Sequence, residues 1–161
     1  MNLQTVTTVP TETVEGYAVA LSSEQGIREL MKLKNRGFDS DKIFTLVPES
    51  KEAISKYAII SDLAKKLIDQ YVPGELTLVL PKNPKFKNFY YDHYETIGIR
   101  IPDHPLFPKL LKENGAIILT AANPRGGTPK STTGHLPSTV IDLTNPDHPQ
   151  ILRQGNLIIN L

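Results

Sequence analysis

The chain has 161 residues, 39% of them hydrophobic, with 18 basic and 17 acidic side chains for a net charge of +1, and no cysteine. That length fits one domain, and the missing cysteines exclude a disulfide scaffold, a thiolate nucleophile and cysteine-ligated zinc. The charge balance gives no global field to gather nucleic acid; with no basic, apolar leader and no run near the roughly 20 apolar residues of a membrane span, a soluble cytoplasmic protein is expected.

Asn2–Pro10, rich in Thr and Val, reads as a strand turning at Pro10–Thr11. A second apolar run, Tyr17–Leu21, leads into Ser22-Ser23-Glu24-Gln25, the composition of a helix N-cap. Ile27, Leu30, Met31 and Leu33 recur at helical spacing, and that helix must stop by Gly37, leaving Gly37–Lys42 as loop. Ile43–Val47 is a short strand, and Lys51–Tyr57 and Leu63–Gln70 carry helical periodicity. Pro73-Gly74 breaks the chain before β-prone Leu76–Leu80, and Lys82–Tyr94 is a polar, aromatic connection. Thr96–Ile101 alternates as a strand would; Pro105–Asn114 is a helix closed by Gly115 as its C′ residue. Ala116–Thr120 is a further strand, Asn123–His135 a loop rich in glycine and hydroxyls, and Ser138–Leu143, Ile151–Leu152 and Leu157–Leu161 the closing strands. Strands outnumber helices without a strict βαβ rhythm, which predicts an α+β (mixed α/β) domain, a mixed sheet flanked by helices. Neither a Walker phosphate loop nor a dinucleotide-binding glycine fingerprint is present.

Four segments combine features that a purely structural domain has little reason to combine. Pro10–Gly16 crowds two threonines and two carboxylates at a strand end, a small-ligand site or an ordinary capped turn. Lys34-Asn35-Arg36 puts two cations at a helix end, able to grip phosphates; on spacing alone, a solvated helix end is the plainer reading. Arg100, between Ile99 and Ile101, faces away from both in an alternating strand. If that face is covered it needs an anion, either an internal Glu or a ligand carboxylate. Thr120–Gly127, followed by Lys130 and further hydroxyls, has the small residues that let backbone approach a ligand. His93, His104, His135 and His148 lack metal-ligand spacing, and Tyr90-Tyr91-Asp92-His93-Tyr94 is a loop anchor or a base-stacking platform.

Taken in order, PTETVEG (Pro10–Gly16), KNR (Lys34–Arg36), PGELTLVL (Pro73–Leu80), TIGIRIPDHP (Thr96–Pro105), TAANPRGGTPKSTT (Thr120–Thr133), PSTVIDL (Pro137–Leu143) and ILRQG (Ile151–Gly155) resemble the YrdC-like threonylcarbamoyl-AMP synthase family. The resemblance covers nearly the whole chain. It implies a single-domain, curved, mixed parallel/antiparallel sheet with flanking helices over residues 1–161, shortened at the N-terminus and between Thr133 and Pro137. It further implies that L-threonine, bicarbonate and ATP give threonylcarbamoyl-AMP, for downstream tRNA threonylcarbamoyl-transfer proteins, with at most a weak RNA contact. Lys34 and Arg36 then carry the catalytic charge. Thr96, Asn123, Lys130 and Arg153 join them at ATP, while Thr13, Arg100 and Ser138 hold threonine, Arg100 on its carboxylate. Mg2+ is expected to be held mainly by the phosphates, with no metal site of protein side chains.

Departures from the family pattern are equally specific. Ala121 stands where a serine is usual, and a lost hydrogen bond to a charged group costs about 1.5–3 kcal/mol. Glu15 stands where a tyrosine is usual, and a carboxylate near another anion costs about 1 kcal/mol in water and about 4 kcal/mol near a protein surface. Gly37 replaces a proline. These features keep open an alternative, a catalytically weakened member that binds nucleotide or RNA.

Overall fold

A computed structural model describes residues 1–122 and 136–161, and in them the hydrophobic periods of the sequence become eight strands and three α-helices. The strands are β1 (Thr7–Val9), β2 (Gly16–Ala20), β3 (Thr45–Val47), β4 (Leu76–Pro81), β5 (Thr96–Ile99), β6 (Ile117–Ala121), β7 (Thr139–Asp142) and β8 (Gln150–Arg153). Helix α1 (Glu24–Leu33) follows β2, α2 (Asp62–Tyr71) follows β3 and α3 (Leu106–Asn114) follows β5. The N-cap hydroxyls of Ser23 and Ser61 accept from the amides of Gly26 (3.0 Å) and Ala64 (3.2 Å), satisfying donors that have no partner inside α1 and α2. Gly115 ends α3 at φ 73°, a left-handed conformation that glycine adopts without strain.

All eight strands join one sheet in the order β1-β2-β6-β3-β5-β4-β7-β8, in which β3–β5 and β4–β7 are parallel and the other pairs antiparallel. The expected mixed sheet with flanking helices is what forms. Register explains its two faces. Val19, Ile118, Leu46, Ile99, Leu78 and Ile141 lie side by side across six strands and are buried against α1 and α2. Each such aliphatic side chain stabilises the fold by about 1.5–3 kcal/mol. One residue along, and so on the opposite face, runs the row Ala18, Leu119, Thr45, Gly98, Val79 and Asp142. Phe107, Leu110 and Leu111 of α3 pack with Ala18 and Leu119 at one end of that row. The remaining short side chains leave a cavity over the rest of it.

Two expectations change, and one open alternative is decided. Lys51–Tyr57 forms a 3-10 turn, Glu52–Lys56, rather than an α-helix. Leu157–Leu161 is not a strand: the Leu157 carbonyl accepts from the Thr139 hydroxyl at 2.7 Å, and Ile159 packs into the core without joining a ladder. The tyrosine cluster is an anchor. Tyr90 and Tyr91 are buried, the Phe44 amide donates to the Tyr90 hydroxyl (3.0 Å), and the Tyr91 hydroxyl donates to the Phe44 carbonyl (2.7 Å). Two phenols thus clamp the entry to β3, and burial pushes both phenol pKa values up. No helix among the described residues is long and apolar enough to cross a membrane.

Candidate active site

The open face of the sheet holds a cavity of about 710 Å3, within the range typical of small-ligand sites. Among the described residues, five basic side chains line it (Lys34, Arg36, Lys42, Arg100 and Arg153) against three carboxylates (Glu15, Asp41 and Asp142). In a chain whose total charge is near neutral, that local excess favours an anionic ligand.

At the β6–β3 side the cations come from the end of α1. Lys34 is its C-cap, and Asn35 adopts φ 51°. The Asn35 amide then donates to the Lys32 carbonyl (3.1 Å) and the Arg36 amide to the Met31 carbonyl (2.9 Å). These are the two bonds of a Schellman termination. The left-handed residue between the two cations folds the chain back, so that Lys34 and Arg36 both line the cavity. The solvated helix end is thereby excluded: Lys34 is only 2% exposed, and its ammonium donates to the Ala121 carbonyl at 3.0 Å. Burial, then the charges of Arg36 and Lys42, lower its pKa from 10.5. Arg36 Nη1 donates to the Lys42 carbonyl (3.4 Å), and its guanidinium lies 5.2 Å from the Phe44 ring centre. A β-branched residue fits φ 51° poorly. Asn35→Val is expected to lose about 1–2 kcal/mol of stability, read by urea denaturation, while Asn35→Gly stays near wild type.

Arg100 follows β5 and is 6% exposed. Its Nε donates to the Gly74 carbonyl (3.1 Å), Nη1 to the Thr13 hydroxyl (3.0 Å) and Nη2 to the Glu12 carboxylate, whose other oxygen accepts from the Asp103 amide. Of the two anions that sequence allowed for Arg100, the internal one is present. A ligand carboxylate would therefore be a second anion on an already paired guanidinium. Thr13 is fully buried and outside the cavity lining; it bonds Arg100 and lies 3.1 Å from the Thr11 hydroxyl, so it supports Arg100 from within. The Glu12 contribution went unrecognised in the sequence, although PTETVEG displayed it, because nothing local pairs it with a residue 88 positions away.

At the β7–β8 side, Ser138 and Arg153 form one unit. Arg153 Nε donates to the Ser138 carbonyl (2.8 Å) and Nη2 to its hydroxyl (3.1 Å), which lies 2.8 Å from the Thr77 hydroxyl. Gly155 permits this approach: a Cβ there would collide with the Pro137 carbonyl and sit 2.9 Å from the Thr139 amide. Thr96 also lines the cavity. Asn123 and Lys130, and the Asn123–His135 loop that holds them, lie outside the described residues. Thr45, Thr77 and Lys42 are lining residues that sequence reasoning missed. Thr45 and Thr77 had a signal, hydroxyls alternating with leucines on β3 and β4. Glu15 lines the cavity and joins no ion pair among the described residues. The described residues contain no cluster of three or more histidines and carboxylates suited to a metal.

Comparison with known proteins gives a consistent result. The Sua5/YciO/YrdC family model, described as telomere recombination, matches residues 2–136. A protein of Methanocaldococcus jannaschii provisionally named as a threonylcarbamoyl-AMP synthase is 34% identical over 131 residues, covering 81% of this chain and 60% of the relative. The threonylcarbamoyl-AMP synthase of Pyrococcus abyssi is 29% identical over 171 residues, covering 92% of this chain and 49% of its own length. The crystal structure of Pyrococcus abyssi Sua5 complexed with L-threonine superposes with a TM-score of 0.82 at 26% identity, over 96% of this chain and 51% of that one. Escherichia coli YciO, at 20% identity and a TM-score of 0.76, shares the fold over 94% of this chain and 84% of its own. The chain thus spans 49% to 60% of the length of the first two of these curated relatives.

Proposed function

The chain belongs to the Sua5/YciO/YrdC family, and from that premise we propose that it makes threonylcarbamoyl-AMP from L-threonine, bicarbonate and ATP, in the cytoplasm. The observation that carries this reading is one cavity with Lys34 and Arg36 at the β6–β3 side and Arg100, Ser138 and Arg153 toward β4, β7 and β8. Such a site can hold a polyphosphate and an amino acid beside each other.

In the proposed reaction the threonine amine attacks the carbon of bicarbonate, and water leaves to give the carbamate. A carbamate oxygen then bonds to the α-phosphorus as the bond to the β-phosphate oxygen breaks, and pyrophosphate departs. Lys34 and Arg36 neutralise the charge that moves onto the departing phosphates; Thr96 and Arg153 complete the ATP site, with Asn123 and Lys130 assigned there by resemblance. Arg100, held by Glu12 and Thr13, orients the threonine carboxylate, and Ser138 offers a hydroxyl to the same ligand. Catalysis on this account is orientation and electrostatics, without a nucleophilic side chain. Mg2+ brought in with ATP would add charge neutralisation, and its ligands would be phosphate oxygens and water. The product is a substrate for proteins that transfer threonylcarbamoyl to tRNA.

Glu15 supports a second reading, a member that binds nucleotide with weakened catalysis, because its carboxylate lines the cavity where the anionic ligand would sit. Pyrophosphate release from MgATP, with threonine and bicarbonate omitted in turn, separates the two. Release that requires both substrates is the expected result. ATP binding without release in any combination would favour the second reading, and Glu15→Tyr together with Ala121→Ser should then restore turnover.

A further inference from the structure

We propose that Lys42 is a third cation at the phosphate side of the cavity, gripping the outer phosphates of the nucleotide and setting a preference for a triphosphate over a monophosphate. The inference rests on the function proposed above and extends its phosphate site beyond the Lys34–Arg36 pair. Lys42 lies eight positions past Lys34, in the loop between α1 and β3, and lines the same cavity.

Its backbone is held in place. The Lys42 amide donates to the Ser40 hydroxyl (3.1 Å), and the Lys42 carbonyl accepts from that hydroxyl (3.4 Å) and from Arg36 Nη1 (3.4 Å). The loop is tied down at both ends: the Tyr94 hydroxyl donates to the Gly37 carbonyl (3.4 Å), and the Phe44 amide to the Tyr90 hydroxyl (3.0 Å). Asp39 and Asp41 closely precede Lys42 in sequence, yet its ammonium joins no ion pair among the described residues. The backbone bond thus couples the Lys42 carbonyl to Arg36, while the ammonium remains available to the cavity. Lys34 registers the charge of both neighbours, its ammonium being disfavoured by Arg36 and by Lys42. Three like charges around one cavity repel until an anion enters, and a triphosphate carries more charge than two of them neutralise. A monophosphate has no outer phosphates for Lys42 to reach.

Calorimetric titration of ATP, AMP and inorganic tripolyphosphate into wild type, Lys42→Ala and Lys42→Arg tests this. Lys42→Ala is expected to weaken ATP and tripolyphosphate about tenfold, more at low salt than at high, and AMP by less than about twofold; Lys42→Arg should stay within about threefold of wild type for all three. Lys42 is exposed, so unchanged urea midpoints should accompany these shifts. Equal losses for ATP and AMP, or no loss for ATP, would overturn the assignment while leaving the proposed function standing. A wild-type chain that binds neither ATP nor tripolyphosphate would overturn both.

Discussion

Glu12→Ala should destabilise the protein by about 3 kcal/mol, because it removes the carboxylate from a guanidinium that the fold keeps out of water. The side chains of Arg100 and Glu12 are 7% and 20% exposed, so this pair is far from a solvated surface bridge. Burial lowers the pKa of Arg100, Glu12 and then Glu75 raise it, and Arg153 lowers it again. Removing Glu12 leaves the largest unfavourable contribution in place and deletes the largest favourable one. The loss falls at the low end for a broken buried pair because Glu75 and the Thr13 and Gly74 oxygens still serve Arg100. It is nonetheless a large share of a net stability that is typically about 5–15 kcal/mol. Urea denaturation of Glu12→Ala, Arg100→Leu and the double variant gives the coupling directly. The double variant is expected to be more stable than Glu12→Ala alone, since the buried guanidinium is removed together with its partner. A Glu12→Ala midpoint equal to wild type would show that the pair is not buried in solution. The same change frees the Asp103 amide, so Arg100 should also lose its orientation and the threonine KM should rise.

Lys34→Met is the substitution with the largest expected effect on turnover. Pyrophosphate release should fall by at least about 100-fold, the loss usual when one preorganised charge-stabilising donor is removed. Lys34 is buried, anchored on the Ala121 carbonyl and placed by the Schellman turn, so its ammonium is preorganised in the fold. Its lowered pKa adds a pH signature. The folded protein releases this proton at a lower pH than the unfolded chain, so the stability linked to it is present above pH 10.5 and lost as pH falls through the folded value. Methionine removes the linkage. The stability of Lys34→Met relative to wild type should therefore be highest near neutral pH and decline as pH approaches 10.5, with urea midpoints measured across that range. A relative stability that does not vary with pH would mean that Lys34 is solvated, contrary to its position in the fold.

Much of the fold could be read locally. Ser23 as an N-cap, Gly115 as the residue that ends α3 (its C-cap, one position inside the expected C′) and the β-prone run Leu76–Leu80 depend on hydrogen bonds and burial within a few residues, and each was legible in the sequence. Leu157–Leu161 misled because strand propensity reports only that a segment suits a half-buried surface; the Thr139 hydroxyl, 18 residues away, takes the Leu157 carbonyl instead. At the site, Lys34 and Arg36 were legible as a pair, but spacing alone favoured a solvated helix end. What reversed that reading is Asn35 at φ 51°, a conformation available to asparagine though not signalled by it.

Composition, periodicity and ordered motifs thus determined a mixed α/β sheet, where its helices begin and end, and Lys34, Arg36, Arg100 and Arg153 as cations that line one cavity. Those properties arise from interactions along a few residues of chain, or from resemblance carried in the residues themselves. Only the tertiary structure decided that Glu12 holds Arg100, that Thr13 supports it from within, that Ser138 and Arg153 act with Thr77, and that Lys42 joins Lys34 and Arg36 at one cavity. Strand order brings these groups together across separations as large as 88 residues, and a buried charge finds its partner by proximity in space, which a linear pattern does not encode.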